Sequence, residues 1–177
     1  MEKRILDATC GGRTIWTPEN KDREDTLYID ERKKEDGFAG QEGRNYGIHP
    51  DELADFTDLD YPDESFKLVV FDPPHVIKEG GEPAGYVEKN YGVLDEENWK
   101  ETIAEGFREL WRVLESEGVL VFKFADNDAY WSHVTELFPV EPLFGTTTKQ
   151  RSNMETRWFV FFKAKNFEKT SGDFQDG

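Results

Sequence analysis

From Phe66 to His75 the sequence reads FKLVVFDPPH. Six residues rich in β-branched and aromatic side chains suit a strand covered on both faces. Two successive prolines, which have no amide hydrogen to give a neighbouring strand, stop it. Asp72 and His75 are thereby expected just beyond the end of a buried strand. In an open parallel sheet, ligands bind beyond such ends, near the point where strand order reverses.

Val119 to Phe124 (VLVFKF) has the same character. Between the two runs, Glu96 to Glu117 places Ile103, Phe107, Leu110, Trp111 and Leu114 three and four apart. That spacing predicts a helix with one apolar face, which Gly118 is placed to end. Strand, helix, strand in this order predicts parallel strands joined by a crossover. Upstream, Arg4 to Ala8 (RILDA) runs into Gly11 and Gly12, and Leu27 to Ile29 runs into Asp30; both read as strands entering loops. Downstream, Tyr130 to Phe138 carries a second helical face, followed by Pro139 and Pro142. Leu143 to Thr146 and Arg157 to Ala164 (RWFVFFKA) are separated by too little chain for a crossover helix. They are expected to pair as an antiparallel hairpin.

The predicted architecture is an α/β, Rossmann-like, doubly wound, mostly parallel sheet with a C-terminal antiparallel hairpin, over residues 1–165. Residues 166–177 are polar and are expected to form a disordered tail. Two glycine-rich segments, Lys33 to Glu52 and His75 to Glu96, lack periodicity and read as long functional loops. The second is expected to be mobile until substrate binds.

A chain of 177 residues has the length of one domain. One cysteine, Cys10, excludes a disulfide framework, and His49, His75 and His133 are scattered, so no metal site is expected. No apolar run approaches the roughly 18 residues of a membrane span, and no signal-peptide pattern follows Met1, which points to a cytoplasmic protein. The formal charge is −16. An acidic protein repels a phosphate backbone unless its cations gather where the polymer lies. From Gly145 to Lys165 the cations Lys149, Arg151, Arg157, Lys163 and Lys165 face Glu155 alone, a net +4 that leaves −20 elsewhere. The loop of the final hairpin should fall at the same sheet edge as Asp72, so Lys149, Arg151 and Arg157 are expected to rim the site. The plain alternative is a strand-end cluster on a solvated surface.

Asp7, Asp30, Asp55 and Asp72 each follow or close an apolar run. Any one alone reads as a cap or turn former; four at strand ends point to a site. The loop Asp7-Ala8-Thr9-Cys10-Gly11-Gly12-Arg13 lacks the G-x-G-x-x-G spacing of a dinucleotide site. An acid four residues before the first glycine suits a cationic ligand better than a pyrophosphate. S-adenosylmethionine, with an ammonium and a sulfonium, is such a ligand.

With these features the sequence resembles the class I S-adenosylmethionine-dependent methyltransferases. It is most similar to their amino-methylating group with an Asn/Asp-Pro-Pro-aromatic motif, known from DNA N6-adenine and N4-cytosine methyltransferases. The likeness runs roughly from Ile5 to Ala164 and is most specific at Val70-Phe71-Asp72-Pro73-Pro74-His75. The resemblance implies that Asp7, Thr9, Cys10, Gly11 and Gly12 hold the methionine part of the cofactor. It implies Asp30 on the ribose hydroxyls, Asp55 and Phe56 beside the adenine, and Asp72, Pro73, Pro74 and His75 as the catalytic turn. Tyr86, Lys89 and Tyr91 are candidates to close over the acceptor. The chain departs from the pattern in carrying His75 where the family has Tyr, Phe or Trp. It also lacks a further glycine near Arg13, and Pro18 cuts short the helix expected after the loop. With the first strand beginning at about Arg4, cover for the cofactor is expected from Lys33 to Glu52 or from a partner chain.

The motif has a physical reason. An exocyclic or amide NH2 is a poor nucleophile because its lone pair is delocalised. A carboxylate and a backbone carbonyl that accept both N–H bonds draw the nitrogen toward the tetrahedral geometry needed for attack. Asp72 and the Pro73 carbonyl would be these acceptors, preorganised because proline fixes φ; Asp72 could also take the released proton. The expected function is N-methylation of an exocyclic amine, foremost adenine N6 of DNA or RNA. The alternatives are a protein glutamine or small-molecule amine methyltransferase, and a non-catalytic cofactor-binding subunit. No target-recognition domain is visible, so specificity is expected to come from loops or from a partner protein. Flipping a base out of a duplex costs about a few kcal/mol, so single strands, structured RNA or a partner-held duplex are the expected polymers.

Overall fold

The computed structural model describes residues 2–40, 47–127, 131–149 and 154–165. In chain order the strands are β1 (Ile5–Asp7), β2 (Thr26–Asp30), β3 (Glu52–Leu53), β4 (Phe66–Phe71), β5 (Ile77–Lys78), β6 (Leu94–Asp95), β7 (Leu114–Asn127), β8 (Phe144–Lys149) and β9 (Met154–Phe162). The α-helices are α1 (Tyr86–Tyr91), α2 (Trp99–Val113) and α3 (Trp131–Thr135). Seven strands form one sheet in the order β3-β2-β1-β4-β7-β9-β8, and β5 and β6 pair separately. The large sheet is parallel except for β9, which runs antiparallel to β7 and β8. This is the expected Rossmann-like α/β sheet with its terminal hairpin. The chain steps outward from β1 through β2 to β3, then returns to β4 and proceeds the other way. The carboxyl ends of β1 and β4 therefore flank the crevice where such sheets bind ligands.

The core follows from register. On β7, Phe122 lies opposite Phe71 on one side and Phe159 on the other, and Leu120 lies opposite Phe161. One sheet face thus presents a run of aromatic rings to α2. Phe107 on α2 meets Phe161 edge-to-face at 4.9 Å and stacks near Trp111 at 6.2 Å. Ile103, Phe107 and Leu110 are fully buried, as the helical spacing predicts. At Gly106 the helix comes so close that a Cβ would lie 2.4 Å from the Phe56 ring. That fit wedges Phe56 between α2 and Phe71 at the mouth of the crevice.

Two expectations need correction, and a third is met. The helix expected to run to Glu117 ends at Val113, and Leu114 turns directly into β7 with ψ 130. Gly118 is inside the strand, at an irregularity where the β4 pairing jumps from Leu114 to Val119. Side-chain period kept the helix reading alive through Leu114, but the Lys163 carbonyl and amide bind Glu117 N and Gly118 O and draw these residues into the sheet. Second, the aperiodic segment after His75 is a small folded lobe, built from the parallel pair β5 and β6 with α1 between them. Third, no α-helix joins β1 to β2. Only a 3-10 turn, Pro18–Asn20, occurs there, as Pro18 foretold, and Trp16 packs edge-on to Tyr28 at 5.5 Å to cover the sheet instead. Among the described residues no helix is long and apolar enough to cross a membrane. The expected tail at 166–177, and residues 41–46 of the first glycine-rich segment, lie outside the described residues.

Candidate active site

β1 delivers Asp7 to the crevice almost fully buried. Its carboxylate accepts hydrogen bonds from Trp16 Nε1 at 2.7 Å and from the Thr9 amide at 3.4 Å. Burial, reinforced by the charges of Asp72 and Asp30, raises the Asp7 carboxyl to about 7. Gly11 adopts φ +48 with open space around its missing Cβ, and its amide donates to Asp30 Oδ2 at 3.0 Å. Cys10 is buried, and burial together with Asp7 and Asp30 pushes its thiol up, so it is no nucleophile. It holds the loop through its backbone, donating to the Ile29 carbonyl at 2.9 Å.

β2 ends in Asp30, also buried. Oδ1 accepts from the Arg32 amide at 3.0 Å and Arg32 Nε at 2.9 Å, and Oδ2 accepts from Arg32 Nη2 at 3.2 Å. Arg32 Nη1 reaches on to the carbonyls of Lys89 and Asn90, both at 3.4 Å, so it joins the strand-end acid to α1. Sequence reasoning missed Arg32, which stands in the charged run Glu31-Arg32-Lys33-Lys34 and reads there as solvated surface.

Beyond β4, the Asp72 amide donates to Thr9 Oγ1 at 3.0 Å and so ties the motif turn to the β1 loop. The Asp72 carboxylate accepts from Lys123 Nζ through both oxygens, at 2.8 and 2.7 Å. Burial pushes the Asp72 carboxyl above its ordinary value, and the Lys123 charge and hydrogen bond offset only part of that rise. His75 is lowered to about 4, first by burial and then by the Lys123 charge, so its imidazole is neutral near pH 7. Its ring lies 6.1 Å from Tyr91 and 6.4 Å from Phe124, centroid to centroid. Lys123 is the second residue that sequence reasoning missed. Within VLVFKF it looks like one polar interruption of a strand, and only the β4-β7 register sets it beside Asp72.

One cleft, of about 640 Å³ measured out to solvent, gathers most of the expected site. The β1 loop contributes Asp7, Thr9, Cys10, Gly11 and Gly12, β2 contributes Asp30, and the loop after β3 contributes Phe56. The motif turn contributes Asp72, Pro73, Pro74 and His75, and the lobe contributes Asn90 and Tyr91. Asn90 is buried, and its Nδ2 has no hydrogen-bond partner among the described residues. An orphaned buried donor in a cleft wall calls for an acceptor on a ligand. Two buried acids at one end, an open glycine loop and this donor fit a ligand that carries an ammonium and also presents acceptor atoms, as S-adenosylmethionine does.

The other expected residues that are described do not line this cleft. Asp55 is exposed, and its Oδ1 accepts from Thr57 N and Oγ1 at 2.8 and 2.7 Å, a local turn bond beside the cleft. Tyr86 and Lys89 are on α1 but do not line the cleft. Arg157 is opposite Phe124 on the strand register and pairs with Glu155 at 3.0 Å. Lys149 closes β8 at the same carboxyl edge, while its side chain and the whole of Arg151 lie outside the described residues. The basic segment does not form one patch. Lys163 is at the far end of β9, where it donates to the carbonyls of Trp111 and Leu114, and Lys165 is near Glu117.

The sequence matches no family model and no curated protein. The fold, however, is that of the S-adenosylmethionine-dependent methyltransferases. A methyltransferase of that kind from Methanosarcina mazei superposes with TM-score 0.50 at 11% identity, over 93% of this chain and 94% of that one. The N-methyltransferase NodS from Bradyrhizobium japonicum superposes with TM-score 0.50 at 14% identity, over 91% and 84%. The [4+2]-cyclase SpnF has the same fold, with TM-score 0.56 at 14% identity, over 91% and 74%. A cyclase among the similar structures means that fold alone does not select the reaction, so the chemistry must be argued from the cleft.

Proposed function

We propose that the chain is an S-adenosylmethionine-dependent N-methyltransferase acting on an exocyclic amino group, with adenine N6 of DNA or RNA as its acceptor. The observation that carries this reading is that one cleft joins the Asp7 to Gly12 loop and Asp30 to the turn Asp72-Pro73-Pro74-His75. The bound cofactor supplies an electrophilic methyl group. Asp7 would receive the ammonium of its methionine part, and Asp30, once Arg32 yields, its ribose hydroxyls. Asp72 and the Pro73 carbonyl would accept the two N–H bonds of the target amine. His75, neutral and flanked by Tyr91 and Phe124, offers a flat partner for a planar acceptor.

The charge of −16 favours a second reading, in which the acceptor is the carboxamide of a protein glutamine rather than a polyanion. One experiment separates the two: transfer of tritiated methyl groups from S-adenosylmethionine to total DNA, RNA and protein of the same cell. Label in N6-methyladenine supports the first reading, label in N-methylglutamine the second. No label in any fraction removes both.

A further inference from the structure

Lys123 follows Phe122, the partner of Phe71 in the β4-β7 pairing, so it occupies the position next to Asp72. Its Nζ is 2.7 and 2.8 Å from the two carboxylate oxygens, and the two side chains are only 19% and 17% exposed. The contact has two consequences. It fixes the plane of the carboxylate while leaving each oxygen a further lone pair with which to accept an N–H. It also cancels the charge, so the acceptor end of the cleft holds a neutral ion pair beside a neutral imidazole. The other groups facing Asp72 are Asp7 from β1, with Asp30 behind it, and His75 from its own turn.

We propose that Lys123 is a positioning residue for the transfer: it holds the Asp72 carboxylate in its accepting orientation and makes the acceptor end electroneutral, so that an uncharged NH2 enters and an alkylammonium does not. The inference rests on the proposed methyl transfer. In that step the nitrogen lone pair forms the N–C bond while the S–C bond of the donor breaks with its pair to sulfur. The methylated nitrogen then carries one extra, strongly acidic proton, which Asp72 accepts and passes to water. An alkylammonium has no lone pair to begin this step. Entering charged, it would also meet the Lys123 cation where the acceptor end holds no net negative charge to offset it.

The test compares wild type, Lys123→Met and Lys123→Arg by kcat against pH and by carbon-13 titration of the Asp72 carboxyl. In Lys123→Met both the acidic limb of kcat and the Asp72 titration should move to higher pH, by about one unit or more. KM for S-adenosylmethionine should stay within about twofold. Lys123→Arg should restore the position of the limb. An unmoved Asp72 titration, or a kcat lowered by one factor at every pH, overturns the proposal. Should Lys123→Met not fold, wild type decides: spermidine methylated as fast as an adenine oligonucleotide or a glutamine peptide overturns it, and rejection of spermidine supports it. If wild type methylates none of these, the reaction assignment fails by itself. The Asp72 titration in the two variants then still decides whether Lys123 governs the carboxylate.

Discussion

Asp7 is protonated or ionised according to its company. Its carboxyl titrates near 3.8 when solvated and at about 7 in the fold. Between those values the folded chain holds a proton that the unfolded chain has lost, so this residue makes stability fall as pH rises from about 4 to about 7. Asp7→Asn should flatten that part of the pH profile of urea unfolding. Ligand binding runs the opposite way, because an ammonium prefers the ionised acid. Affinity for S-adenosylmethionine, measured by calorimetry, is expected to rise from pH 6 to pH 8 in the wild type and to be weak at both in Asp7→Asn. A flat wild-type profile would take Asp7 out of the ligand's reach. At Asp72 the expectation concerns turnover: Asp72→Ala should abolish methyl transfer and leave cofactor affinity nearly unchanged. It should also lower stability, by about 3–5 kcal/mol if Lys123 stays ionised, because it strands a largely buried cation. Equal loss of binding and turnover would assign Asp72 to the cofactor instead. The strand-end acids were legible in the sequence because each closes an apolar run. Arg32 and Lys123 were not, since their partners are set by a strand-end turn and by sheet register, neither of which has a local signal.

Among the elements, the lobe of β5, α1 and β6 separates what sequence shows from what it hides. A six-residue helix and two-residue strands are too short to display a period, so this segment read as loop. Its order comes instead from single contacts. Glu88 accepts from the amides of Ala84 and Gly85 at 2.6 and 3.1 Å and from Lys78 Nζ at 3.0 Å. Gly92, at φ +81, sits so close to the motif turn that a Cβ would lie 3.0 Å from Pro74 and 3.3 Å from Arg32. With ψ 176 as well, Gly92 occupies a backbone region open essentially to glycine alone, so Gly92→Ala meets a conformational cost of about 1–3 kcal/mol as well as a contact that must give way. The lobe should lift from Pro74, and kcat/KM for the acceptor should fall about tenfold or more with the circular dichroism spectrum unchanged. Wild-type kinetics in this variant would show that the lobe does not act in the reaction. The same sparse anchoring predicts that amides of Tyr86 to Leu94 exchange faster than those of β4 and β7, and slow when acceptor and cofactor product are both bound. Long, periodic α2 and the apolar central strands needed no such help, and their presence was read correctly; only the helix-to-strand junction at Leu114 was not.

For the whole molecule the governing quantity is where its charge lies. A chain at −16 must present cations locally if a polyanion is to reach the cleft. The fold divides the basic C-terminal segment. Lys163 is spent on the helix carbonyls at one sheet edge, while β7, β8 and β9 bring Asn127, Lys149 and Met154 together at the other, the edge of Asp72. Of the described cations in that segment, Lys149 by its backbone and Arg157 stand toward this edge, and Arg157 shares its charge with Glu155. Each phosphate neutralised by such a group releases counterions, so losing one contact should flatten the plot of log affinity against log salt by about 0.7–0.9. Converting Lys149, Arg151 and Arg157 together to alanine should weaken nucleic-acid binding at low salt by a slope change of about two such contacts, fewer than three because of the Glu155 pairing. Affinity for S-adenosylmethionine should not change, since Arg157 does not line the cleft and the other two are assigned to the polymer rather than to the cofactor. Filter binding of a single-stranded adenine-containing oligonucleotide from low to moderate salt makes the measurement. An unchanged slope together with unchanged methylation would mean that this edge carries no polymer. The uncharged acceptor end of the cleft would then be better matched to a glutamine carboxamide, which requires no cations around it.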